Sequence, residues 1–150
     1  MTVSSITPFL WFDSEAEEAA NYYVSLFPNS KIQYVSPGPT GAAMVVGFEI
    51  SGQRLTALNG GPMYKLTEAF SLMVNCSDQS EIDRLWNALC DGGKPGVCGW
   101  LIDRFGLSWQ VNYEGLPKLM SGRNGGKVMS AMRQMGKIDV AKLSAIAAGD

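Results

Sequence analysis

Cys98, Asp103 and Arg104 crowd into one stretch, CGWLIDRFGLSWQVNY at 98–113, and they offer the most chemistry in the chain. A thiol attacks an electrophile as its thiolate, a state it usually draws from a neighbouring imidazole. The chain contains no histidine. A nucleophilic Cys98 therefore lacks the commonest activating base, and a cysteine that packs at a strand end is the competing reading. Asp103 and Arg104 can orient a polar substrate, or they can pair within the turn Asp103-Arg104-Phe105-Gly106. Gln110 and Asn59 present amides, which hold a ligand but move no proton near neutral pH. Asn59 precedes Gly60-Gly61, so an Asx turn competes with a ligand-facing amide there. Trp100, two residues after Cys98, joins the candidate ligand-binding residues.

The remaining reactive groups point away from catalysis. Cys76, Cys90 and Cys98 contain no CxxC pair, so a zinc site is not indicated. Three cysteines cannot all pair within one chain, and reduced thiols in a cytoplasm suit them better. Glu15, Glu17 and Glu18 open a helix, where carboxylates are stabilised by the dipole. A net charge of -2 provides no footprint for nucleic acid. No signal-peptide pattern and no long apolar run appear, so neither export nor a membrane is expected.

Positioning these side chains requires a repeated set of elements. Ser5–Phe12 alternates like a strand, and Ser14 with Glu17 makes a capping box. Ala16, Ala19, Ala20, Tyr23 and Phe27 follow at helical spacing until Pro28-Asn29. Lys31–Ser36, Ala43–Ser51 and Arg54–Leu58 read as strands. The order then recurs: strand Phe70–Cys76, a helix capped by Asp78 with Ile82, Leu85, Trp86 and Leu89 inward, then strands Val97–Ile102 and Leu107–Tyr113. Residues 94–98 are the least defined part of the second copy. The fold class is α+β, with two βαβββ modules at about 4–60 and 68–114 in a single 150-residue domain. A helical tail spans 115–150, with Val128, Met129, Met132 and Met135 as an apolar stripe. Core or dimer packing explains that stripe, since Met fills irregular gaps.

Four segments carry a specific resemblance: ITPFLWFDSEAEEAANYYVSLFPNSKI at 6–32, LNGGP at 58–62, CGWLIDRFGLSWQV at 98–111 and VMSAMRQMGKIDVAKL at 128–143. Together they resemble PhnB-like proteins, a branch of the vicinal-oxygen-chelate superfamily that includes glyoxalase, bleomycin-resistance and extradiol-dioxygenase relatives. The branch often bears an inherited domain label, 3-demethylubiquinone-9 3-methyltransferase. The resemblance implies two βαβββ modules whose curved sheets form a cup, commonly in a homodimer. It also implies where a metal would sit. The four matching positions are Ile6, Ser71, Thr56 and Gln110. Ile has no donor, and Ser, Thr and Gln are neutral, so neither a metal nor another cofactor is expected. Methyltransfer would call for a parallel sheet with a glycine-rich loop opening a helix, which this chain has no room for.

What remains is a cup lined by apolar and neutral polar groups, the usual make-up of a small-molecule site. Strand alternation places Gln110 with Ser108 and Asn112, and Ser71 with Met73 and Asn75. It places Ile6, Pro8, Leu10 and Phe12 on the same face of the first strand. The expected ligand-binding set is Gln110, Ser71, Thr56, Asn59, Cys98, Trp100 and Asp103. The expected function is metal-free binding of a small apolar or aromatic metabolite, for sequestration or sensing, in a cytoplasmic homodimer. The competing class is a metal-free enzyme using Cys98 or Asp103. Against ligand binding of either kind stands an ordinary filled interior in which Gln110 and Ser71 merely satisfy each other.

Overall fold

The computed structural model describes residues 2–149. Two compact units divide the chain, one through Leu66 and one from Thr67.

The first unit holds β1 (Phe9–Phe12), α1 (Ala16–Leu26), β2 (Lys31–Pro37), β3 (Ala43–Ile50) and β4 (Gln53–Asn59). The strands lie in the order β1-β4-β3-β2, with β1 and β4 parallel and the other pairs antiparallel. One face of this sheet is buried. Leu10, Phe12, Val46, Phe48, Leu55 and Ala57 lie there, and α1 contributes Ala16, Ala19, Ala20 and Tyr23 to the same core. Small alanines let the helix approach the sheet closely, while the Tyr23 ring reaches Phe48 at a centroid distance of 6.2 Å. Burying a large apolar side chain fully is worth about 1.5–3 kcal/mol.

Three sequence expectations change here. The first strand begins at Phe9 rather than Ser5, and Ile6 is 91% exposed ahead of it. Its buried positions are Leu10 and Phe12, so Phe9 and Trp11 occupy the opposite, open face. The core under α1 takes Leu10 and Phe12, the smaller of the two pairs. The capping box of Ser14 and Glu17 also does not form; Glu15 is the N-cap residue and makes no side-chain cap bond. Asn59 does that work from the end of β4, its Oδ1 accepting from the Ala16 amide at 2.8 Å.

The second unit repeats the topology with β5 (Ser71–Cys76), α2 (Gln79–Cys90), β6 (Lys94–Pro95), β7 (Trp100–Ile102) and β8 (Ser108–Tyr113), in the order β5-β8-β7-β6. Again the first and last strands pair in parallel. Asp78 caps α2 as expected, accepting from the Glu81 amide at 3.0 Å. Leu101, Trp109 and Val111 are buried on one sheet face, and Ile82, Leu85 and Leu89 of α2 are buried with them. The expected strand from Val97 starts only at Trp100, because Cys98 and Gly99 both adopt positive φ, at 62° and 82°. A left-handed pair of residues cannot continue a strand.

The tail follows with α3 (Leu116–Met120), α4 (Gly125–Arg133) and α5 (Val140–Ala147). Val128, Ile138 and Leu143 are buried to 1% exposure or less. The Cys98 and Gly99 amides donate to the Met135 and Gly136 carbonyls at 2.6 and 2.9 Å. Gln79 of α2 grips the tail with both ends of its amide, donating to the Ile138 carbonyl at 2.9 Å and accepting from the Val140 amide at 2.8 Å. Among the described residues no helix is long and apolar enough to cross a membrane.

Candidate functional site

Each sheet has an open face opposite its helix, and period-2 alternation decides which side chains stand on it. In the first unit Thr56 is one of them, paired with Phe9 on one side and Gly47 on the other. A Cβ at Gly47 would run into the Tyr34 ring, so this glycine makes room for an aromatic lid beside Thr56. Trp11 shares the face. Its ring lies against Gly60, its Nε1–H donates to the Gly61 carbonyl at 2.9 Å, and Tyr64 meets it edge-on at 5.0 Å. The LNGGP motif therefore serves to seat a tryptophan. Asn59 is committed to structure: besides holding Ala16, its Nδ2 donates to the Ala43 carbonyl at 3.0 Å.

In the second unit the open face brings together Ser71, Gln110 and Trp100. Trp100 pairs with Gln110 across the β7–β8 ladder, and the Gln110 amide donates to Ser71 Oγ at 3.0 Å. These two polar groups thus satisfy each other in part. Asn112 is engaged with Asn75 at 3.0 Å. One row further along, Lys94, Ile102, Ser108 and Ser71 follow each other across the four strands. A pocket of about 310 Å³ opens here, lined by Glu68, Lys94, Gly96, Trp100, Ile102 and Ser108.

Asp103 is 3% exposed and stands at the turn rather than in this pocket. Its Oδ1 accepts from the Phe105 and Leu107 amides at 2.8 and 3.0 Å, and its Oδ2 from Trp109 Nε1 at 2.8 Å. Three donors fix the carboxylate as the bolt of the DRFG turn. Arg104 lies over the Phe105 ring, 4.8 Å from its centroid. Cys98 is half-buried in the positive-φ turn, with its amide tied to the tail. Burial raises the Cys76 thiol to about 11, helped by the nearby Glu81 charge, and burial also raises Cys90. Neither thiol is a nucleophile near neutral pH.

The four positions at which the superfamily would hold a metal can be compared with the donors present. Ile6 offers none, Thr56 is in the first unit, and Ser71 and Gln110 are bonded to each other. No three His, Cys, Asp or Glu side chains converge among the described residues. A divalent cation would find only neutral oxygens, so the residues do not fit such a metal.

Sequence reasoning missed Lys94 and Glu68, because the two-residue β6 leaves no periodic signal and Glu68 lies outside every element. Alternation alone puts Ser108 on the face that the structure gives it.

Two sheets of identical strand order, each with one parallel and two antiparallel pairs, define two βαβββ modules, the fold of glyoxalase-like structures. The chain belongs to the family described as 3-demethylubiquinone-9 3-methyltransferase, whose model matches residues 4–112, and it is PhnB-like. A putative 3-demethylubiquinone-9 3-methyltransferase, PhnB protein, from Bacillus cereus is 31% identical; the match covers 73% of this chain and 99% of that one, with a TM-score of 0.69. Protein PA1353 from Pseudomonas aeruginosa is 24% identical over 75% of this chain and 98% of its own, with a TM-score of 0.60. The fosfomycin resistance protein FosX from Listeria monocytogenes, solved with Mn(II) and sulfate, shares the fold. It is 16% identical over 72% of this chain and 90% of its own, at a TM-score of 0.51. No curated protein matches the chain. The family match stops before the three tail helices.

Proposed function

We propose that this protein is a metal-free small-molecule binder that sequesters or senses a small apolar or aromatic metabolite on the open faces of its sheets. The observation that carries this reading is the pocket of about 310 Å³ beside Trp100, at the lower end of the range for small-molecule sites. Its walls are apolar with a few polar groups, which suits recognition. The Trp11–Tyr64 pair and the exposed rings of Phe9 and Tyr34 give the first unit a similar character.

The enzyme reading with Cys98 or Asp103 finds less support. Asp103 has its carboxylate spent on three hydrogen bonds, and Cys98 has no histidine to activate it. Methyltransfer by a nucleotide-type cofactor finds no support either, since neither sheet is the parallel, doubly wound kind. A homodimer remains part of the proposal. The buried tail stripe no longer argues for it, but the exposed edge strand β2 does, with unpaired backbone groups along a nearly fully exposed segment.

Native mass spectrometry of the protein purified from its own source tests the proposal. A co-purifying organic mass lost on Trp100→Ala is the expected result. A stoichiometric transition metal instead, or turnover abolished by Cys98→Ala, would reject it.

A further inference from the structure

The polar groups around the pocket beside Trp100 are not a random selection. Lys94 and Glu68 both line it, both are exposed, and neither forms an ion pair among the described residues. Opposite charges that border one small cavity without neutralising each other present a cation and an anion to whatever enters. Ser108, which is 1% exposed, lines the same pocket. Its hydroxyl is buried and has no hydrogen-bond partner. A buried hydroxyl left unpaired is a cost that a native structure normally avoids, unless a ligand or an ordered water completes it. Register explains the convergence: Lys94 pairs with Ile102, and Ile102 with Ser108, so the ammonium and the hydroxyl belong to one row on one face. Trp100, one pleat away on the same face, supplies a flat apolar wall.

We infer that this pocket takes a small amphoteric ligand of the amino-acid class. Its carboxylate is held by Lys94 and the Ser108 hydroxyl, its ammonium faces Glu68, and its apolar side group lies against Trp100. An anion alone would be held by Lys94 but repelled by Glu68. A cation alone would meet the reverse. Only a molecule carrying both charges, with an apolar portion, uses every group present. The inference rests on the small-molecule reading given above and narrows it to one chemical class.

Isothermal titration of the full chain separates the two. The probes are L-phenylalanine, phenethylamine, which lacks the carboxylate, 3-phenylpropionate, which lacks the ammonium, and benzyl alcohol, which has neither charge. Phenylalanine is expected to bind about tenfold or more tightly than either singly charged analogue, since each charge-assisted contact is lost in turn. Lys94→Gln should bring phenylalanine down to the level of phenethylamine, and Glu68→Gln should bring it down to that of 3-phenylpropionate. Ser108→Ala, which removes an unpartnered hydroxyl, should weaken phenylalanine and 3-phenylpropionate but not phenethylamine. Equal binding of benzyl alcohol and phenylalanine would overturn the amphoteric class while leaving the binding function intact. Charge variants that leave phenylalanine affinity unchanged would overturn it too. Failure of all four probes to bind would also reject this class, and the co-purified mass would then decide the broader function on its own.

Discussion

The two modules share a strand order and differ in how each is completed. The first finishes itself: β2 and β3 make a long antiparallel pair, and α1 alone accompanies its buried face. The second has a two-residue β6 and a three-residue β7, and its backbone at Cys98 and Gly99 turns outward to bond the tail. The same topology thus tolerates two solutions to one requirement, that backbone groups beside a short strand find partners. In the first solution a neighbouring strand supplies them. In the second, the segment between α4 and α5, outside the family match, does. The lesson is that the matched region is not the folding unit of the second module.

Removing everything after Gly115 tests this most severely. Hydrogen exchange should lose protection throughout β5–β8 while β1, β3 and β4 keep theirs. Even Leu143→Ala alone should cost about 2–5 kcal/mol in denaturant unfolding, as for other fully buried leucines. Uniform loss of protection in both modules, or none, would break the distinction.

A smaller effect compares the bolts of the two modules. Asp103→Ala leaves the Phe105 and Leu107 amides and the Trp109 indole without their acceptor, at roughly 3 kcal/mol or more. Asn59→Ala removes one helix-capping acceptor and one donor in the first module, at about 1–2 kcal/mol. Chemical denaturation of both variants should rank them in that order. The reverse ranking would mean that the first module carries the tighter constraint.

The least effect is a pH dependence. The Cys76 thiol stands at about 11 when folded against an ordinary 9.0, so the folded state favours its neutral form. The stability from that preference is full below about pH 9 and is lost as pH rises from 9 toward 11. Cys76→Ser, which does not ionise there, should flatten this alkaline limb in urea titrations. An unchanged limb would place the titrating group elsewhere.

Much of this was readable from residue order. The alternation in Ala43–Ile50 and the Ile82, Leu85, Leu89 spacing each imply an element that is present. The turn at Asp103 and its flanking strands were evident too. What could not be read was long-range and unperiodic. Asn59 caps a helix forty-odd residues before it, and no local pattern announces such a bond. The face of the first strand was inverted because Leu10, Phe9, Trp11 and Phe12 are all apolar, so alternation carries no sign there. Lys94 and Glu68 gained meaning only once strand register placed one of them in a row with Ser108. The tail's Met stripe was visible as apolar, but its destination was not.

That destination bears on how the chain comes into being. Synthesis runs from the N-terminus, and a segment becomes stable once all its partners have emerged. The first module has its partners by Leu66, once Gly60, Gly61 and Tyr64 have closed around Trp11, so it is free to fold while the rest is still being made. The second must wait, with β5–β8 and their apolar faces uncovered, until Ile138 and Leu143 have left the ribosome. Its window of vulnerability to chaperones and proteases is therefore set by the slowest-arriving residues. Limited proteolysis of arrested nascent chains should find resistance in the first module long before the second. Simultaneous protection of both would show that the tail is dispensable during birth.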